Sequence, residues 1–135
     1  MFRKMRRFKQ QITDEECRKI LAEEGRGVLS LFGEDGYPYG IPMNYFYDED
    51  ENKIYFHYAK EGHKIDALRA NGKVSFGEIH LVSDEKKAFE KLCNLGIKYY
   101  PTREEGIETA TSNASRTQIL ELDIHHITGK RVHEK

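Results

Sequence analysis

The sequence predicts an antiparallel α+β barrel built from one domain, residues 1–135. Three observations carry this. Strand-like runs follow one another through hairpin turns instead of alternating regularly with helices. The run from Tyr37 to Tyr47 holds Pro38 and Pro42, and each proline removes a ladder donor, which confines that run to a sheet edge or a bulge. Roughly five strands and three helices account for most of the chain, too many strands for a helical bundle and too few regular crossovers for a doubly wound sheet.

The elements follow in order. Thr13-Asp14-Glu15-Glu16 has the form of a capping box, with Ile12 and Cys17 placed as a hydrophobic staple. The helix it opens runs to about Glu24, with Cys17, Ile20 and Leu21 on its apolar face, and Gly25 and Gly27 end it. Val28–Phe32 is a short apolar strand, and Gly33-Glu34-Asp35-Gly36 is a hairpin turn of the Asp-Gly kind. Tyr37–Tyr47 returns, its alternating tyrosines at 37, 39, 45 and 47 reading as a packed sheet face. Lys53–Tyr58 alternates Ile54, Phe56 and Tyr58 on one face with Tyr55 and His57 on the other. Gly62–Ala70 is a short helix with Ile65 and Leu68 inward, and Lys73–Val82 is strand-like again. Ser83-Asp84 caps a helix from about Glu85 to Leu95, with Ala88, Phe89, Leu92 and Leu95 as its core face and Gly96 as its stop. Residues 103–115 are polar, a weak helix or a loop. Gln118–His125 closes the sheet with Leu120, Leu122 and Ile124 on one side.

Composition excludes several functions. Lys and Arg number 22 against 23 Asp and Glu, a formal charge of −1, where a dedicated nucleic-acid binder is strongly basic. The basic run Arg3, Lys4, Arg6, Arg7, Lys9 reads as a solvated arm. No apolar run reaches the roughly 18 residues of a membrane span, and no signal-peptide core follows the basic start, so the expected setting is the cytoplasm. Cys17 and Cys93 are too far apart for a redox or zinc motif and fit buried thiols. His125-His126 is a surface pair, not a metal site, because neighbouring strand residues point to opposite faces.

The run Ile54-Tyr55-Phe56-His57-Tyr58-Ala59-Lys60-Glu61-Gly62-His63-Lys64 is the best candidate for chemistry. A strand ends and a helix opens on glycine, histidine and lysine. The first amides of a helix have no internal partner and its dipole adds positive charge, so phosphate can bind there. The motif is short, and many helices open with glycine and lysine.

Here the chain resembles the flavin-binding split-barrel superfamily that includes the pyridoxamine phosphate oxidases, and within it the nitroimidazole-resistance branch. The residues that carry the resemblance are Ile12-Thr13-Asp14, Ile41-Pro42-Met43-Asn44-Tyr45, the run from Ile54 to Asn71, and Ile127-Thr128-Gly129-Lys130-Arg131. The resemblance implies a split β-barrel with a few flanking helices and FMN held at a homodimer interface. It implies that Pro42, Met43, Asn44 and Tyr45 lie along the flavin ring, that Phe56, His57, Tyr58 and Ala59 border it, and that Gly62, His63 and Lys64 hold the phosphate. His63 stands where the oxidases have arginine; an imidazole offers fewer donors and a weaker hold. His57 matches a histidine beside the flavin and is the candidate catalytic residue. The implied reaction is two-electron reduction of a small acceptor such as a nitroaromatic, with electrons from a transiently bound nicotinamide nucleotide. Haem or deazaflavin binding, a non-catalytic flavin carrier, or an interaction module working through the basic arm are the alternatives.

One departure stands out. Relatives carry a hairpin between the strands matching Lys73–Phe76 and Gly77–Val82. Here the two join directly at Phe76-Gly77, where antiparallel strands would need a turn. The expectation is that a segment of about 20–30 residues, one hairpin with its loop, is missing near 76–77.

Overall fold

The structure, a computed structural model, describes residues 2–33, 36–75 and 77–132. Helix α1 (Asp14–Glu23) begins at the expected cap. The Glu16 N–H donates to Thr13 Oγ1 at 3.2 Å and the Thr13 N–H donates to Glu16 Oε1 at 3.5 Å, satisfying free amides from both sides. The strands are β1 (Gly27–Phe32), β2 (Pro38–Met43), β3 (Phe46–Asp48), β4 (Lys53–Ala59), β5 (Lys73–Val74), β6 (Gly77–Leu81) and β7 (Thr117–Ile124). The other helices are α2 (His63–Ala70), α3 (Glu85–Tyr99) and α4 (Arg103–Asn113). The strands form one sheet in the order β2-β1-β5-β6-β7-β4-β3. Every pairing is antiparallel and the sheet curls into the half-barrel expected of a split barrel. The turn expected at Gly33–Gly36 includes residues 34 and 35, which lie outside the described residues.

The seven strands come from two of the expected runs breaking. Tyr37–Tyr47 divides at Asn44-Tyr45, because the end of α3 takes the backbone there. The Tyr45 N–H donates to Tyr99 Oη at 2.9 Å and its carbonyl accepts from Lys98 Nζ at 2.8 Å, so neither group is left for a strand ladder. Both prolines fall in β2, an edge strand, as their missing donors require. Residues 73–82 divide into β5 and β6, which are antiparallel and meet at Val74↔Gly77. The objection that the chain cannot reverse here is therefore corrected. β5 is cut to two residues and Ser75 after it is a turn residue; Phe76 lies outside the described residues. Gly77 is required by its neighbour, since a Cβ on it would stand 2.2 Å from the Asp123 carbonyl oxygen in β7.

Helix α3 does not stop at Gly96 but runs three residues further, to Tyr99. The glycine serves packing instead of termination. A Cβ on Gly96 would lie 2.4 Å from the Gly106 carbonyl oxygen, and a Cβ on Gly106 would lie 2.5 Å from the Gly96 carbonyl carbon, so α3 and α4 touch backbone to backbone. The polar segment after Arg103 is thereby a helix, capped by Thr102 Oγ1, which accepts from the Glu105 N–H at 3.2 Å.

The alternation read from Lys53–Tyr58 sorts the core into two. Inside the curl, Phe56 packs with Leu29, Leu31, Ile65, Leu120 and Leu122, flanked by Ile54 and Tyr58. Outside it, Tyr55 packs under α3 and α4 with Leu92, Leu95, Ala110 and Ile119. The tyrosine row does not form one packed face: Tyr45 and Tyr47 are buried, whereas Tyr37 and Tyr39 are exposed. Phe89, expected in the core, is exposed too. Among the described residues no helix is long and apolar enough to cross a membrane, and no group of three His, Cys, Asp or Glu could hold a metal ion.

An ion network pins α3 to the sheet. Lys91 Nζ lies 2.7 Å from Asp48 Oδ2, and Glu121 lies 2.9 Å from Lys53 and 2.7 Å from Lys87. Burial pushes the Glu121 carboxyl upward, but hydrogen bonds and charge from Lys87 and Lys53 outweigh it and hold the group at about 2.

Two outcomes follow from this packing. Gly96→Ala gains about 1 kcal/mol of helix propensity but forces a methyl into rigid backbone. The clash dominates and urea unfolding should register a net loss of about 1–2 kcal/mol. The unfolded Glu121 carboxyl keeps its proton up to about pH 4.5 and the folded one releases it down to about 2. Its contribution is full above the first value and is lost as pH falls to the second, on the order of 3 kcal/mol. Glu121→Gln should flatten the acid limb of the stability curve between those two pH values; an unchanged limb would assign the acid sensitivity elsewhere.

Candidate functional site

Strand β4 and helix α2 set up the site through the turn that joins them. Gly62 sits at φ 138°, a conformation that side-chain-bearing residues rarely adopt, and a Cβ there would meet Tyr58 Cε1 at 3.3 Å. That approach brings the start of α2 up against Tyr58. The opening amides of α2 have no partner inside the helix and lie at the positive end of its dipole.

Lys64, in the first turn of α2, is 4% exposed. Its Nζ lies 3.2 Å from Met43 Sδ and 3.7 Å from the centroid of the Tyr58 ring. No carboxylate pairs with it among the described residues, and burial alone holds its ammonium below the usual lysine range. A thioether and an aromatic face are weak company for a buried cation. The same turn places His63 edge-on to Tyr39, ring centroids 6.4 Å apart.

Two sheet edges border this cation. β2 is one, ending in Pro42 and Met43. The other belongs to β4, which pairs with β3 only through Lys53–Tyr55 and from Phe56 to Ala59 has a strand neighbour on the β7 side alone. Backbone groups along Phe56–Ala59 therefore face a gap in the sheet.

His57 points to the other side of β4. It lines a cleft of about 660 Å³ between the sheet and the α3–α4 pair, together with Asn44, Tyr58 and Ala59. Surrounding protein, and after it the charge of Lys64, holds the imidazole below its ordinary value, so His57 is neutral at pH 7.

The structure thus brings Met43, Tyr58, Gly62 and Lys64 together, and gathers Asn44, His57 and Ala59 at the adjoining cleft. Pro42 is exposed on the β2 edge. Phe56 offers only backbone, since its side chain is 5% exposed within the core. Tyr45 is already spent: its hydroxyl donates to the Leu21 carbonyl at 2.7 Å, its backbone is held by Tyr99 and Lys98, and burial pushes its phenol up to about 12. The sequence reading missed Tyr39, hidden in the tyrosine row, and Arg116, which fell between the polar segment 103–115 and the last strand.

Comparison with known proteins agrees with this geometry. The sequence profile of the pyridoxamine 5'-phosphate oxidase family matches residues 13–76, a stretch that contains both β2 and the β4–α2 turn. A candidate 5-nitroimidazole antibiotic resistance protein from Bacteroides thetaiotaomicron superposes with a TM-score of 0.70 at 15% identity, covering 87% of this chain and 84% of the other. A conserved hypothetical protein from Mycobacterium tuberculosis gives 0.77 at 15% identity, covering 92% and 87%. An FAD-binding protein from Mesorhizobium loti gives 0.61 at 19% identity, covering 87% and 94%. No curated protein matches the chain. The chain has the fold of the pyridoxamine 5'-phosphate oxidase-like split barrels and, over residues 13–76, their sequence pattern.

Proposed function

We propose that the protein binds FMN as a homodimer and acts as an oxidoreductase on a small organic acceptor such as a nitroaromatic, with a nicotinamide nucleotide as electron donor. One observation carries the reading: Lys64 is a buried cation with no carboxylate partner among the described residues, at the amide-rich start of a helix. A buried charge is costly until it is paired, and a phosphate there would pair it. Lys64, His63 and the first amides of α2 would hold the phosphate of FMN. The edge of β2 at Pro42–Asn44 and the open edge of β4 at Phe56–Ala59 would offer backbone groups to the ring. When bound, the flavin would supply two-electron redox chemistry.

The residues of this chain then have defined tasks. Gly62 lets the helix start approach closely. Tyr58 and Met43 fix the Lys64 chain, which keeps the ammonium in one place. Neutral His57 can accept or return a proton at a ring nitrogen on the acceptor side. The exposed apolar side chains Val28 and Phe32, on one face of β1, would be covered by the second copy. The family match over residues 13–76 and the FAD-binding neighbour support the flavin; the α2 start, which suits a terminal phosphate, favours FMN over larger forms.

Replacing Lys64 tests this. Lys64→Ala should weaken FMN by about 10- to 100-fold, the range of a charge-assisted hydrogen bond, while affecting riboflavin, which lacks the phosphate, far less. Titration of both flavins by fluorescence quenching decides it. Equal losses for the two, or none for either, would remove Lys64 as the phosphate ligand.

A further inference from the structure

The cleft beside His57 has a feature that holding FMN does not need. In a chain with 23 acidic residues among 135, its lining contains no Asp or Glu and one guanidinium, Arg116.

Arg116 is held ready. The Asn113 side-chain amide donates from Nδ2 to the Thr109 carbonyl at 2.9 Å, which fixes the direction of its oxygen. That oxygen accepts from Arg116 Nε at 2.9 Å and also from Nη2. One edge of the guanidinium is thereby anchored to α4, and its remaining donors have no partner among the described residues. The same cleft is lined by the apolar side chains of Leu92 and Leu95, the ring of Tyr99 and the Gly96–Gly106 contact.

From this arrangement we infer that the cleft is an anion-selective pocket: it takes a small planar organic molecule carrying one carboxylate or phosphate, with the charged group on Arg116 and the planar body against the α3 wall near His57. A guanidinium held in place on one edge, with donors left on its other side, suits a planar oxyanion, and apolar walls suit a flat body but give no charge selection of their own. The inference rests on the reading above in one respect: it takes this molecule to be the acceptor that the flavin would reduce.

Paired probes test it. Calorimetry on the purified full chain compares 4-nitrobenzoate with 4-nitrobenzamide, which share ring and nitro group and differ in charge. The carboxylate should bind about tenfold tighter. Arg116→Gln should abolish that preference and leave the amide within about twofold, and Arg116→Lys should keep part of it. Asn113→Ala, which releases the guanidinium, should lower the preference without removing it, and provides a second reading should Arg116→Gln fold poorly. Equal binding of both probes by the unaltered protein, or a preference that survives Arg116→Gln, would overturn the inference. The absorbance spectrum of the same sample separates the two readings. An Arg116-dependent preference in a protein that binds no flavin would uphold this pocket and overturn the flavin assignment.

Discussion

Strand β4 buries Tyr55 on one face and Phe56 on the other, and the rest of the molecule is arranged around that constraint. Its period-2 alternation sends Phe56 into the curled sheet and Tyr55 under the helices, so neither layer can form without the other. The pairing of β4 with β7 along Lys53–Ala59 fixes the register, and a slip by one residue would exchange the two cores. The same alternation puts Tyr58 beside Lys64 and His57 in the cleft. Two chemically distinct places on the two sides of one sheet are a direct result of a strand whose alternate side chains serve two different layers.

Two lysines show how burial alone does not decide the state of a charge. Lys91 and Lys64 are 3% and 4% exposed. Burial lowers the pKa of Lys91, but hydrogen bonds and charge from Asp48 and Glu51 reverse this and raise it. Lys64 has no such partners and its pKa falls. The first lysine is a finished structural pair, which ties α3 to the β3–β4 turn. The second is an unfinished one, and it stands where a helix start adds further positive potential. Among the described residues only Met43 and Tyr58 offset the burial of the Lys64 charge, the pattern expected where a ligand completes the charge balance.

Much of this was readable in the sequence where local chemistry decides the outcome. Thr13 and Glu16 formed their box because capping depends on residues three apart. The two faces of β4 and the edge position of the prolines followed from alternation and from missing donors. What escaped depended on distant partners. The break at Asn44-Tyr45 is made by Tyr99 and Lys98, more than fifty positions away, and no local signal announces it. Gly96 looked like a helix stop because its contact with Gly106 is tertiary. The reversal between β5 and β6 was hidden because it required a two-residue strand, shorter than any pattern can mark. At the site, Gly62 and Lys64 were legible as a motif, whereas Arg116 gains meaning only once Asn113 and α4 hold it at the cleft.

The unpaired ammonium of Lys64 is the centre of the account, and its titration tests it most directly. Heteronuclear NMR of the lysine Nζ groups, with Lys64 assigned through Lys64→Arg, would follow its pKa in ligand-free and FMN-saturated protein. The account predicts a value below the ordinary lysine range without ligand, rising when FMN binds and leaving Lys91 unmoved. A Lys64 pKa that is ordinary at the outset, or that does not change on saturation with FMN, would contradict it.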